Sequence, residues 1–289
     1  MIGLNNKKIG FIVDSSSNLK DGQFDDVKVI PLGVTIQNGT NIQSFKDGIN
    51  FHDEDLKKAL ENKDTIIKTS QAAMPEMMKA AQEMCSKFDQ VFVFPIHKNL
   101  SGNVNTWKIL KDDFPNLNVV MTCDIGYSFA WTIEEVKNFL KTNEANESNV
   151  QKFVDEQVLP HRVGFLMVED LEQLKKGGRV SGIKAAIAKL FKIKPVILFD
   201  HNGLTNFTTV KDYEGLFNVL DKHIVDKYNN KKIQKAIVFV PFGDEETKTK
   251  YLTEYTRHYG QIPYDLVNFP TVVVSHTGLK HVAIYVKLQ

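Results

Sequence analysis

Three short turns rich in hydroxyl groups are the part of this chain best suited to bind an anion. They are Asp14-Ser15-Ser16-Ser17-Asn18, Thr69-Ser70-Gln71, and the stretch from His97 to Gly102 that contains Ser101. Hydroxyls, backbone N–H groups and helix N-termini together suit a carboxylate or a phosphate. Serine and threonine also cap helices commonly, so each turn alone favours a structural role. Because three such turns follow three apolar runs, the anion-binding role has the same weight as the helix-capping role.

The second half of the chain offers two side chains that could offset a buried negative charge. Arg179 follows the stretch Lys176-Gly177-Gly178, and His276 lies within Ser275-His276-Thr277-Gly278. Taken singly, the paired glycines are typical of a helix C-cap, and the histidine is typical of a satisfied core residue. Both structural interpretations therefore stay open beside the binding one.

Composition excludes several classes of protein. The 289 residues carry 36 basic and 35 acidic side chains, for a net charge of +1, so no overall field attracts nucleic acid. Cys85 and Cys123 fit no paired spacing, and the scattered histidines form no metal-ligand pattern. Phosphate-loop, nucleophile-elbow, zinc-protease and dinucleotide motifs are absent from the sequence. We therefore predict neither a metal nor a cofactor.

The elements that must position these turns alternate between strands and helices. In the first half, the apolar patterns predict strands at 8–13, 27–36, 65–68, 90–96 and 118–123, and helices at 53–61, 74–88, 101–114 and 127–140. Such alternation implies a parallel sheet covered by helices. In open α/β sheets, ligands gather beyond the carboxyl ends of the strands, where the three turns lie.

The second half is predicted to contain antiparallel pairing. Strands are expected at 163–168, 194–199, 204–210, 235–241, 265–274 and 281–287, and helices at 171–176, 183–191, 213–228 and 244–259. His201-Asn202-Gly203 is a hairpin signal. The polar stretch 141–148 could be a surface connection. We predict an N-terminal α/β domain over 1–160, with a parallel sheet flanked by helices, and a C-terminal α/β domain with a mixed or antiparallel sheet over 161–289.

The order and spacing of five motifs resemble the DegV family, which includes the fatty-acid-binding subunits of bacterial fatty acid kinase. The motifs are Asp14-Ser15-Ser16-Ser17, Thr69-Ser70-Gln71, Leu100-Ser101-Gly102, Lys175-Lys176-Gly177-Gly178-Arg179 and His276-Thr277-Gly278. This resemblance spans almost the whole chain. It implies that the protein is not an enzyme but a carrier, which holds one long-chain fatty acid in a buried tunnel. A partner kinase would supply ATP and form the acyl phosphate that feeds phospholipid synthesis.

The resemblance also assigns roles to individual residues. Thr69, Ser70 and Ser101 would contact the acyl carboxylate, and His276 would reach it from the second domain. Arg179 and Lys211 would lie at the tunnel mouth or at the kinase contact.

The third turn departs from the family pattern. Where the family usually reads Ser-Ser-x-Leu-Ser-Gly-Thr, this chain reads His97-Lys98-Asn99-Leu100-Ser101-Gly102-Asn103. Paired hydroxyls are therefore lost, and we expect His97 or Lys98 to take over their contact with the carboxylate. Because a cationic histidine attracts a carboxylate more strongly than a neutral one, fatty-acid retention is expected to weaken as the pH rises.

Two other functions remain open from the sequence. His97 could accept phosphate as the nucleophile of a phosphotransfer protein, or the chain could sense fatty acids without any kinase. The N-terminal residues lack the pattern of a signal peptide, and no apolar run approaches the roughly 18 residues of a membrane span. A cytoplasmic location is therefore expected, and transient contact with a membrane surface is left open.

Overall fold

The computed structural model describes residues 7–169, 173, 176 and 193–289. These residues divide into two compact units. The first lies within Met1–Pro160 together with Pro270–Val272, and the second within His161–Phe269 together with Val273–Gln289. The fold class expected from the sequence is confirmed, because a parallel sheet and helices form the first unit and a mixed sheet with helices forms the second.

The strands are, in chain order, β1 Ile9–Asp14, β2 Val27–Ile30, β3 Gly33–Asn38, β4 Asn41–Lys46, β5 Ile66–Ser70, β6 Gln90–Phe94, β7 Leu117–Val119, β8 Arg162–Val168, β9 Lys194–Asp200, β10 Gly203–Val210, β11 Ile233–Val240, β12 Tyr264–Asn268 and β13 His281–Leu288. The helices are α1 Asp53–Glu61, α2 Met74–Lys87, α3 Asn103–Leu110, α4 Ser128–Phe139, α5 Glu147–Phe153, α6 Tyr213–Tyr228, α7 Glu245–Tyr259 and α8 Thr271–Thr277. The predicted helices at 171–176 and 183–191 fall outside the described residues, apart from isolated positions 173 and 176.

A parallel sheet in the order β2-β1-β6-β7 forms the centre of the first unit. Strand β1 is buried along its whole length, as expected for a parallel strand covered on both faces. Phe11 packs on one face with Phe129 of α4 and Val150 of α5, while α2 packs against β1, β2 and β6. The carboxyl ends of β1 and β6 therefore lie side by side, and the turns that follow them share one edge.

A separate antiparallel sheet, in the order β4-β3-β5, holds the second hydroxyl-rich turn. The prediction of one strand over 27–36 was wrong, because the chain leaves the parallel sheet after Ile30 and starts β3 at Gly33. Pro31 lies at this break and has no N–H to donate to a strand ladder. Strand β5 pairs with β3, so Thr69 does not follow a strand of the parallel sheet. Strand β4, whose residues are mostly exposed, was not predicted.

The second unit is built on a six-stranded sheet in the order β10-β9-β8-β13-β11-β12. Its pairs are antiparallel except β11 with β12. Helices α6 and α7 pack together, and the ring of Phe217 stacks on Tyr251 with centroids 5.6 Å apart. The predicted hairpin is present, with Gly203 at a φ of 89° in its turn.

Two further local predictions, for residues 265–274 and 141–148, needed correction. Residues 265–274 were expected to be one strand, but β12 ends at Asn268 and α8 begins at Thr271. Pro270 separates them, because it cannot continue a ladder but tolerates the start of a helix. The stretch 141–148 is not wholly a connection, since α5 starts at Glu147 and the side chain of Asn146 caps it by accepting from Asn149 N at 2.9 Å.

Candidate functional site

The first turn is organised around the carboxylate of Asp14, which is 1% exposed at the end of β1. Its Oδ1 accepts from the backbone N–H of Ser16 at 3.1 Å and from the Ser16 hydroxyl. Its Oδ2 accepts from Ile96 N at 3.0 Å and from Asn103 Nδ2 at 2.9 Å. Burial raises the pKa of Asp14, and these hydrogen bonds oppose the rise. Asp14 therefore joins the first turn to the third, and the buried Ser16 hydroxyl serves Asp14 and not a ligand.

The third turn is closed by hydrogen bonds of its own. The carbonyl of His97 accepts from Leu100 N at 2.9 Å and from Ser101 N at 3.3 Å. The hydroxyl oxygen of Ser101 accepts from Asn103 N at 3.2 Å, which is the capping role that the sequence left open. This bond leaves the Ser101 O–H as a donor on a half-buried side chain. Ser101 can therefore cap α3 and donate to an anion together.

The ring of His97 is only 1% exposed, and its Nδ1 accepts a hydrogen bond from Asn99 N at 3.2 Å. An accepting Nδ1 carries no proton, so this contact describes the neutral ring with its proton on Nε2. Neutral His97 would meet a carboxylate as a hydrogen-bond donor and not as a cation. The burial of the ring also disfavours His97 as a phosphate acceptor, and Lys98 next to it is exposed.

The second turn presents its two hydroxyls in opposite directions. Thr69 is paired with Val34 and Ser70 with Gly33 on strand β3, and successive side chains of a strand point to opposite faces. Thr69 is half-buried, on the face of the buried Val34. Ser70 is exposed, and its hydroxyl donates to the carbonyl of Gln71 at 3.2 Å. The sequence placed both hydroxyls on one carboxylate, and the strand separates them.

Gln71 connects the second turn to the third, a role that the sequence analysis missed. Its Nε2 donates to the hydroxyl of Thr106 on α3 at 3.0 Å. Its Oε1 lies beside Gly102, at 3.1 Å from the place where a Cβ would stand. The signal was the glutamine directly after the two hydroxyl residues. Through Asp14 and Gln71, the start of α3 is tied to both other turns.

A second buried carboxylate, that of Asp47, contacts the first turn and was not predicted. Asp47 is 5% exposed and forms side-chain hydrogen bonds with Ser15 and Thr271. Thr271 also donates to Asp53 Oδ1 at 2.8 Å, and Ser15 Oγ accepts from Leu32 N at 3.1 Å. Burial raises the pKa of Asp47 to about 6, against the lowering effect of the Ser15 bond. Nothing in the local sequence of Asp47 distinguishes it from a surface aspartate.

The candidate residues of the second unit occupy separate places. His276 is half-buried on α8, and Lys211 is exposed between β10 and α6. Arg179 lies outside the described residues. A further histidine, His281, is fully buried with its ring centroid 4.0 Å from that of Phe269, and burial lowers its pKa to about 3. His281 fits the structural role that the sequence analysis had weighed for His276.

The described residues provide neither a metal-binding cluster nor a membrane-spanning helix. Over 7–169, 173, 176 and 193–289, no group of three or more His, Cys, Asp or Glu side chains could hold a metal ion. In the same ranges, every helix is too short or too polar to cross a membrane.

The two α/β units and the joined turns define a protein of the DegV class. The model of the DegV family, described as an uncharacterised protein family, matches residues 8–288. The chain therefore belongs to the DegV family, and the assignment made from the sequence motifs is confirmed.

Relatives of similar length support this assignment. A DegV domain-containing protein of Mycoplasma genitalium is 28% identical over 291 residues, which cover 94% of this chain and 96% of that protein. A homologue from Mycoplasma pneumoniae is 29% identical over 287 residues, covering 94% and 95%.

Solved structures share the fold. DegV from Bacillus subtilis, described as a fatty acid binding protein, has a TM-score of 0.78 at 19% identity and covers 98% of this chain and 100% of its own. A stearic-acid-binding protein from Eubacterium ventriosum has a TM-score of 0.79 at 19% identity, covering 96% and 98%. A DegV family protein from Eubacterium eligens, loaded with heptadecanoic acid, has a TM-score of 0.75 at 16% identity, covering 97% and 100%.

Proposed function

We propose that this chain is a fatty-acid carrier that binds one long-chain acid and presents its carboxylate to a separate ATP-dependent kinase. The observation that carries this proposal is the junction of the three hydroxyl-rich turns in the first unit. Asp14 and Gln71 tie those turns to the start of α3, so their donors share one edge of the unit. Proteins of the same fold are described as fatty-acid-binding proteins.

Affinity and orientation would come from different parts of the ligand. Burying an acyl chain is worth about 0.8 kcal/mol per methylene, so a long chain could supply on the order of 10 kcal/mol before ordering costs. The carboxylate resists leaving water unless donors meet it. We assign those donors to Thr69, Ser101 and the neutral ring of His97, and we propose His276 as the contribution of the second unit. Ser70 lies on the opposite face of β5 and would join them only by turning away from the carbonyl of Gln71.

The carrier role leaves the chemistry to the partner. Nucleotide-binding motifs are absent from this sequence, so ATP would be bound by the kinase and the acyl phosphate would form when the carrier exposes the carboxylate. Arg179 and Lys211 are our candidates for the kinase contact, because each is a cation that could pair with an acidic surface. The product would enter phospholipid synthesis.

Native mass spectrometry of the purified protein, followed by organic extraction, tests the ligand. We expect one bound molecule whose mass matches a long-chain fatty acid, released on denaturation. A protein that stays ligand-free after incubation with a series of fatty acids would contradict the proposal.

The kinase step is tested by trapping the acyl phosphate with hydroxylamine in a reaction of ATP, fatty acid and a fatty acid kinase, with and without this chain. If the amount of trapped product is the same with and without this chain, the carrier role is contradicted and the fatty-acid sensor is favoured.

A further inference from the structure

One oxygen atom of Asp14 contacts the residues on both sides of the third turn. Asp14 Oδ2 accepts from Ile96 N, at the start of the turn, and from Asn103 Nδ2, at its end. These donors lie 82 and 89 residues beyond Asp14 in the sequence. Between them lie His97 and Ser101, the proposed carboxylate contacts. The position of both contacts therefore depends on a carboxylate that does not itself belong to the turn.

Asn103 is the side-chain donor of this pair. It is fully buried at the first position of α3 and stands where the family pattern has threonine. Its backbone N–H also donates to Ser101 Oγ, so displacement of Asn103 would move the Ser101 hydroxyl directly. Its Oδ1 is buried and accepts no hydrogen bond within the described part of the chain. An apolar side chain of similar size would therefore lose only the bond to Asp14.

We propose that Asn103, held by Asp14, is a positioning residue that sets the turn's contacts with the fatty-acid carboxylate. The inference rests on the proposed function and deepens it. The carboxylate of Asp14 accepts hydrogen bonds from Ser16, Ile96 and Asn103, so the bond from Asn103 holds the end of the turn against a group that is itself fixed on several sides. Pre-positioned donors act on the head group alone. The acyl tail gains nothing from them.

This separation of head and tail supplies the test. Equilibrium affinities of the wild-type protein are measured for palmitate and for palmitate methyl ester, which keeps the tail and removes the charge. The ratio of the two affinities measures head-group recognition. In Asn103→Leu, whose side chain fills the same space, and in Asn103→Ala, we expect the ratio to fall at least tenfold while the affinity for the ester changes less than threefold.

The matched control is Asn118→Ala, which removes another buried asparagine of the same unit. Asn118 Nδ2 donates to Gln90 Oε1 at 2.9 Å and to Val91 O at 3.2 Å, away from the turn. In Asn118→Ala, the ratio of the affinities for palmitate and its methyl ester is expected to equal that of the wild type. If both Asn103 variants keep the wild-type affinity ratio, the inference is overturned. Failure of the proposed function is distinct, because the wild type itself would then bind neither ligand or would not distinguish them. If Asn103→Ala does not fold, Asn103→Leu decides.

Discussion

Thr271 Oγ1 donates to Asp53 Oδ1 at 2.8 Å, which joins the first residue of α8 to the first residue of α1. The two residues are 218 positions apart in the chain. The side chain of Thr271 also lies close enough to the buried Asp47 to lower the pKa of that carboxyl. Pro270–Val272 cluster with the first unit, although the remainder of α8 belongs to the second. The contact between Thr271 and Asp53 therefore lies within the first unit.

Replacing Thr271 by Val should therefore destabilise the protein without changing the shape of the side chain. The hydroxyl serves charged acceptors in a half-buried place, so we expect a loss of about 1–2 kcal/mol in the free energy of unfolding. Urea titration measures this loss. Thr271→Ser keeps the hydroxyl and should retain most of the stability; a loss in Thr271→Ser as large as that in Thr271→Val would show that the hydroxyl alone does not account for the effect.

Asp47 should make the folded state less stable as the pH rises from about 4 to 6. Its pKa is about 6 in the folded protein and 3.8 ordinarily, so the folded state holds the extra proton within that window. Stability falls with pH wherever the folded state binds more protons than the unfolded state. Asp47→Asn should remove a decrease of about 3 kcal/mol. Urea unfolding at several pH values tests this, with the exposed Asp64→Asn as control; parallel curves for wild type and Asp47→Asn would contradict it.

His281 should make the folded state less stable as the pH falls, which is the opposite of the effect of Asp47. Its folded-state pKa of about 3 lies below the ordinary 6.5, because a charged ring is costly in a fully buried place. The unfolded state therefore binds the proton first, and the stabilisation present above pH 6.5 is lost as the pH falls toward 3. His281→Asn, which stays neutral, should give a flatter stability profile below pH 6.5. The exposed His201→Asn is the control, and acid sensitivity that survives in His281→Asn would exclude this residue as its source.

Gly33 provides a way to move the Ser70 hydroxyl without removing it. A Cβ at position 33 would overlap Ser70 Oγ, so Gly33→Ala must turn or displace that side chain. If Ser70 binds the carboxylate, we expect the affinity for palmitate to fall about tenfold, the equivalent of one charge-assisted hydrogen bond. The double variant Gly33→Ala with Ser70→Ala should match Ser70→Ala alone. Unaltered affinity in Gly33→Ala and in Ser70→Ala would remove Ser70 from the site.

His276 is tested by replacement with Ala. We expect fatty-acid retention to fall roughly tenfold, because a buried carboxylate would lose one donor. Retention is measured by competition dialysis with labelled palmitate, and the exposed His201→Ala serves as the control. Equal retention in wild type and His276→Ala would show that the histidine is structural.

The sequence by itself determined the elements whose signals are local. Helices α1 and α6 have the predicted bounds, because an apolar face that repeats every three to four residues is visible within one helix. The buried run of β1 and the hairpin before β10 are likewise local patterns. The DegV assignment also needed only the order and spacing of short motifs.

Tertiary structure alone decided which of those motifs meet and how. Asp14 contacts Asn103 across 89 residues, and Thr271 contacts Asp53 across 218, so no window of sequence contains both partners. Strand pairing placed Thr69 and Ser70 on opposite faces, and a valine-rich stretch that favours a strand became α8 after Pro270. Long-range hydrogen bonds and burial set these outcomes, because their energies depend on which groups the folded chain brings together and removes from water.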